Sequence, residues 1–195
     1  MKRINQIKRK LIQCGICENQ INDIFDNGDL TRIMRRMDEF IVPNTVQQVL
    51  DSCACGSEDD EQDKQHHNLG GKNENKTLSE IISHINSMLG DYEKINLNAD
   101  NTLTVEWSFI NNKKYCCQCL VTVKEGVKVS ELALNSNIDN SVMPLSYCYC
   151  CAGSCRRYYH SKYGIELKTK EIVSSPINSK GEKPCSFVFE IVQWR

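Results

Sequence analysis

The stretch "CAGSCRRYYHSKYGIELKTKEIV", residues 151–173, decides how the chain folds, because its character changes once, at Gly164. Cys151 to Tyr163 reads as a helix, and Gly164 is placed to end it as a C-cap, since glycine enters the left-handed conformation without steric cost. Beyond it "IELKTKEIV", 165–173, reads as a strand. Further on, "CSFVFEIV", 185–192, alternates so that Cys185, Phe187, Phe189 and Ile191 share one side. Upstream, "TLTVEWSF", 102–109, sets Leu103, Val105, Trp107 and Phe109 on one face. The turn-forming "NNKK" at 111–114 then leads into "YCCQCLVTV", which predicts an antiparallel hairpin with Cys117 and Cys119 on the face of Val121 and Val123.

The first half has the helical period instead. Ile4, Ile7, Leu11 and Ile12 form one stripe, and Leu30, Ile33, Met34, Met37, Phe40 and Ile41 form a second that Pro43 ends. Val46, Val49, Leu50 and Cys53 make a short third helix with Asn44 as its expected N-cap. A fourth, Thr77 to Leu89, carries the strongest stripe: Leu78, Ile81, Ile82, Ile85, Met88 and Leu89. Helices feeding a mostly antiparallel sheet define an α+β class. The expected organisation is a helical segment over 1–55, a polar linker over 56–76, and an α+β domain over 77–195.

Twelve cysteines in 195 residues are many, and the chain has no signal-peptide pattern and no apolar run of membrane-spanning length. The expected setting is the cytoplasm, where clustered thiols serve metal binding or redox chemistry more often than disulfides. A net charge of −1 gives no global attraction to nucleic acid or to an anionic membrane. The basic runs "KRINQIKRK" and "RIMRR" read as solvated helix faces.

The cysteines fall into five groups: Cys14 with Cys17, Cys53 with Cys55, Cys116 with Cys117 and Cys119, the run Cys148, Cys150, Cys151 and Cys155, and Cys185 alone. A soft d10 cation such as zinc takes four thiolates tetrahedrally, and short cysteine pairs offer two ligands from one segment. One candidate site joins Cys14 and Cys17 to Cys53 and Cys55, should the first and third helices pack together. The other is built from Cys148, Cys150, Cys155, Cys185 and Glu171, with Cys151 turned to the core as a packed residue. Glu171 has the strand parity of Ile165, Leu167 and Val173, where an unpaired carboxylate is costly and a metal would resolve it. The alternative for Glu171 is a sheet-edge position that reaches solvent. Buried cysteines can also be plain small hydrophobes.

The residues "YCYCCAGSCRRYYHSKYGIELKTKEIVSSPINSKGEKPCSFVFEI", 147–191, resemble the C-terminal part of the 4-vinyl reductase domain family, which is similar in turn to haem-nitric-oxide-binding and transport-particle proteins. The matching positions are Cys151, Gly153, Gly164, Glu171, Gly181, Cys185 and Phe187. The cysteine sets more closely resemble those of small clostridial-type bacterial proteins with no established activity. The resemblance implies an α+β sensor-like or tetrapyrrole-associated domain, in some members with zinc held by cysteines and an acidic residue. The cysteine expected after Glu171 is replaced by Ser174 or Ser175, so a fourth ligand must come from Cys148, Cys150 or Cys155.

The leading expectation is therefore a zinc- or small-molecule-binding module. A small apolar or tetrapyrrole-like ligand would sit in a pocket lined by Trp107, Cys117, Cys119, Phe187 and Phe189. Homodimer formation stays open. An iron–sulfur or thiol-redox protein is the second class. A cysteine-dependent hydrolase, resembling aminothiazoline-carboxylate hydrolases, is the third. No motif fixes a catalytic residue, and His160 is only a candidate base.

Overall fold

A computed structural model describes residues 2–26, 30–53, 76–88, 90–111, 113–117 and 143–194. The architecture is α+β. Its described helices are α1 (Lys2–Gln13), α2 (Glu18–Phe25), α3 (Leu30–Phe40), α4 (Pro43–Ser52), α5 (Leu78–Met88) and α6 (Cys148–Tyr163). The strands β1 (Glu93–Leu97), β2 (Thr102–Trp107), β6 (Cys185–Trp194) and β5 (Ile165–Ser174) form one antiparallel sheet in that spatial order. A separate two-residue ladder joins β3 (Ile110–Asn111) to β4 (Lys114–Tyr115).

The helical stripes bury most of what their period predicts, but Ile12, Phe40 and Met88, which share those stripes in the sequence, are exposed at the helix ends. Ile7 and Leu11 of α1, Ile33, Met34 and Met37 of α3, and Val46, Val49 and Leu50 of α4 are buried in a core continuous with the sheet. The exit from α1 is a Schellman turn: Gly15, at φ +80°, donates to the Ile12 carbonyl and Ile16 to that of Leu11. Ile16 then packs on the same core as Leu11. Helix α4 starts two residues earlier than the expected cap, Asn44, allows. Val42 is the N-cap and Pro43 takes the first helical position, where its missing N–H costs nothing. Thr77 and Glu80 close a capping box on α5, with the Thr77 amide donating to Glu80 Oε2 at 2.7 Å.

The expected hairpin is corrected. Strand β2 is paired on both sides, by β1 and by β6, so it has no open edge for residues 115–123. The "NNKK" turn serves the small β3–β4 ladder instead, and Cys119, Val121 and Val123 lie outside the described residues. The expected linker, apart from Lys76, lies outside them too.

Ile95, Leu103, Val105, Phe187, Phe189, Ile165 and Leu167 line the buried face of the sheet. Ion pairs such as Lys168–Glu190 occupy the other. Both sheet edges meet side chains. At β1 the Asn86 amide of α5 donates to the Ile95 carbonyl at 2.7 Å and accepts the Ile95 N–H at 3.0 Å. At β5 the Leu167 carbonyl accepts from Arg156 and the Thr169 carbonyl from Gln47. Among the described residues no helix is long and apolar enough to cross a membrane.

Helix α6 begins at Cys148, after a 3-10 turn over Leu145–Tyr147, three residues before the expected start. Gly164 ends it in the left-handed conformation at φ 68°, as expected. The longer helix places Cys148 and Cys150 on α6 rather than in a loop. At 100° per residue Cys148, Ala152, Cys155 and Tyr159 share a line, whereas Cys150, Gly153 and Arg157 face the other way. The first line meets the interior of the α+β half, and the second meets α4. There the approach is close: a Cβ on Gly153 would lie 2.3 Å from the Asp51 carbonyl oxygen.

Candidate functional site

Nine described cysteines are free, and burial divides them sharply. Cys14 and Cys17 are exposed, whereas Cys53, Cys116, Cys117, Cys148, Cys150, Cys155 and Cys185 are buried. Cys151, expected to be a packed thiol, is disulfide-bonded. Cys55 lies with Cys119 outside the described residues.

Three chain segments bring thiols together at one end of the sheet. Register pairs Cys185, the first residue of β6, with Trp107 at the end of β2. The chain leaving β2 then folds back: Cys116 donates its amide to the Phe109 carbonyl at 2.8 Å, and Tyr115 donates to the Gly181 carbonyl at 3.0 Å. Gly181 sits at φ +82° with the Tyr115 oxygen 3.1 Å from where a Cβ would be, so the 174–184 turn can carry only glycine there without strain. Residues 115–117 are thereby held beside 181–185. Helix α6 delivers the third thiol, that of Cys148.

The result is a buried cluster of Cys117, Cys148 and Cys185. The Cys117 and Cys185 thiols share a hydrogen bond, and Cys148 and Cys116 are near enough to act on Cys185 electrostatically. Cys148 shares a hydrogen bond with the fully buried Ser175 hydroxyl. The hydrogen bond with Cys117, then burial and the neighbouring sulfurs, push the Cys185 thiol well up. Burial, reinforced by Cys117 and opposed by Ser175, pushes Cys148 up to about 12. Among the described residues, however, no three Cys, His, Asp or Glu side chains are already arranged to hold a metal ion. The thiols converge within mutual reach and stop short of a ligand cage.

Other expected ligands lie elsewhere. Glu171 is exposed, because the register with β6 slips between Thr169 and Glu171 and the extra residue, Lys170, reverses the parity beyond it. The sheet-edge reading of Glu171 is the one the geometry favours. Cys53, at the end of α4, lies beside Cys150, whose thiol points to the Cys53 carbonyl at 3.9 Å. Cys14 and Cys17 sit in solvent where α1 meets α2. Cys155 belongs to a different buried group, near Glu93, whose Oε1 accepts the Tyr159 hydroxyl at 2.7 Å.

Of the expected pocket residues that the structure describes, Cys117, Phe187 and Phe189 are buried in the core and Trp107 is half-buried against it. Phe187 and Phe189 are fully buried with ring centroids 6.1 Å apart, and Trp107 meets Phe187 edge-on at 5.6 Å. An open cleft of about 440 Å³ lies instead against α2 and α3, lined by Asn22, Asp23, Asp26, Arg36 and Phe40. Its Arg36 donates to the Asp23 carbonyl.

Sequence reasoning missed Glu93, Ser175 and the latch of Asp51, Arg156, Thr169 and Gln47. Asp51 pairs with Arg156 at 3.4 Å and accepts from the Thr169 hydroxyl at 3.1 Å, tying α4 to α6 and β5. Only the spacing of Cys155 and Tyr159, four apart on one helix face, offered a signal for the Glu93 group.

Fold and site together define an α+β protein with a thiol-rich core. The chain has no match among protein-family models, curated proteins or solved structures.

Proposed function

We propose that the protein is a soft-metal-binding module, with zinc the foremost ion, held by Cys117, Cys148 and Cys185 and completed by Cys116. The observation that carries this reading is the convergence of three buried thiols from three chain segments. The donor set suits a soft cation. Protonated thiols gathered in the core are ready to exchange protons for a metal, which makes loading pH-dependent. The bound ion would supply structural cross-linking of β6, α6 and the strand-return segment 115–117. The resemblance to domains that hold zinc through cysteines adds support, with Glu171 replaced by a thiol from Cys117.

A sensor role, in which a small apolar or tetrapyrrole-like ligand acts through this centre, is the finer part of the proposal. A hydrolase draws no support from Cys116, Cys148, Cys155 or Cys185, whose thiols are all pushed up, the opposite of an activated nucleophile. His160 is exposed, and every described thiol of α6 is buried. An iron–sulfur cluster would use the same thiols and is distinguished by colour.

The test is metal analysis of protein purified without oxygen. Stoichiometric zinc, lost in Cys148→Ala and Cys185→Ala but kept in Cys155→Ala, is expected. Visible absorbance with bound iron would replace zinc by a cluster. Protein free of both metals, with these thiols fully titratable after denaturation, refutes the proposal.

A further inference from the structure

The cysteine pair outside the core has a separate chemistry. We infer that Cys14 and Cys17 are a redox-active dithiol that closes to an intrachain disulfide by exchange with small-molecule disulfides. Four observations carry this. They are the two exposed thiols among the nine described free cysteines. They are separated by two residues, one of them Gly15 in the left-handed conformation, so the chain turns between them. The Schellman bonds of Gly15 and Ile16 and the burial of Leu11 hold that turn, with Cys14 at the exit of α1 and Cys17 as the N-cap of α2. Finally, the Cys17 side chain makes no capping bond; its thiol meets only the Gln20 side chain, at 3.5 Å, so the N-cap residue is not committed to the helix end.

A disulfide needs these two sulfurs and nothing more. A metal needs further ligands, and among the described residues no third Cys, His, Asp or Glu joins them in a metal-holding group.

The exchange is balanced as follows. One thiolate attacks a sulfur of the small disulfide, forming a mixed disulfide and releasing one small thiol. The second thiolate attacks the protein sulfur of that mixed disulfide, forming the Cys14–Cys17 bond and releasing the second small thiol. The protein pair loses two electrons and two protons, which the small disulfide takes up. The buried thiols stay out of the reaction because the reagent cannot reach them.

The experiment uses the full chain, reduced and desalted without oxygen, then equilibrated with glutathione disulfide. Brief alkylation under native conditions, read by peptide mass mapping, should label Cys14 and Cys17 in the reduced protein. After glutathione disulfide both labels should be lost, with the 14–17 peptide lighter by two hydrogens and free of glutathione. A reductant should restore both. Cys14→Ser and Cys17→Ser should each stop at a stable glutathione adduct on the remaining cysteine. The inference is overturned if wild type keeps both labels, or if it accumulates glutathione on each cysteine without the internal bond. Metal content of the double serine variant should equal that of wild type, which keeps this result independent of the core proposal.

Discussion

Gly153→Ala sets two effects of known size against each other. Alanine in place of an interior helical glycine favours the helix by about 1 kcal/mol. At Gly153 the new Cβ would lie 2.3 Å from the Asp51 oxygen and 2.9 Å from its carbonyl carbon and Cα, all backbone atoms of α4. Rigid backbone cannot swing aside, so α4 and α6 must separate by about 1 Å to restore normal contact. Overpacking of this kind costs about 1–3 kcal/mol, and the upper end applies because the obstacle is main chain. The same movement stretches the bonds from Arg157 to the Asp51 carbonyl and from Arg156 to its carboxylate. A net loss of about 2 kcal/mol follows, which at a urea slope of about 2 kcal/mol per molar lowers the unfolding midpoint by about 1 M. Urea unfolding followed by circular dichroism measures it. A midpoint that rises, as helix propensity alone requires, would refute the seating of α4 on α6.

Tyr159→Phe strands the buried Glu93 carboxylate and should cost about 1.5–3 kcal/mol, more than Glu93→Gln, which keeps an acceptor for the phenol; thermal melts giving the reverse order would contradict the pairing. Burial first, then Glu93, raises the Cys155 thiol above its ordinary 9.0, and burial first, then Cys155 and Glu93, raises the Tyr159 phenol above 10.0. The folded state thus keeps protons that the unfolded chain releases, so stability is complete below about pH 9, falls above it by about 1.4 kcal/mol per pH unit through Cys155, and falls by as much again above about pH 10 through Tyr159. Urea midpoints that stay level from pH 8 to 11 would show these groups to be open to water. Asp51 is also raised, because burial outweighs Arg156, Thr169 and Arg157. Its charge therefore burdens the native state above its ordinary 3.8, and Asp51→Asn should shift stability by no more than about 1 kcal/mol. Arg156→Ala should cost about 1–2 kcal/mol, since both the Leu167 carbonyl and Asp51 lose a partner. Calorimetry ranking Asp51→Asn as the more damaging change would overturn this account of the latch.

Local patterns in the chain were legible wherever one face decides them. The alternation of Cys185, Phe187 and Phe189 matches three buried residues of β6, Ile81, Ile82 and Ile85 of the α5 stripe are buried as periodicity places them, although Met88 is exposed, and the glycine ending α6 stands where capping places it. Pairing partners were not legible. Strand β1 carries only Ile95 and Leu97 as apolar residues, too weak an alternation to announce it, and without β1 the residues after "NNKK" look like the natural neighbour of β2. Parity failed at Glu171 because a bulge is a change of count, invisible until the partner strand is known. The same limit governs the site. Each cysteine of the core cluster could be named from the chain, but that Cys117 meets Cys185 depends on the Tyr115–Gly181 bond across a turn, and no spacing along the sequence encodes it.

The two side chains at the rim of β5, and the single amide at the rim of β1, have a meaning for how the molecule behaves in a crowd. An open four-stranded sheet ordinarily offers two free borders to any passing extended chain. Here Asn86 occupies both hydrogen-bonding groups of Ile95 on one border, and Arg156 and Gln47 occupy consecutive outward carbonyls on the other. A strand arriving from another molecule would have to displace an amide or a guanidinium to pair across the middle of either border. Among the described residues both borders of the sheet are thereby taken at their middle, which makes the helix surfaces and the exposed face of the sheet the freer ground for copies that meet.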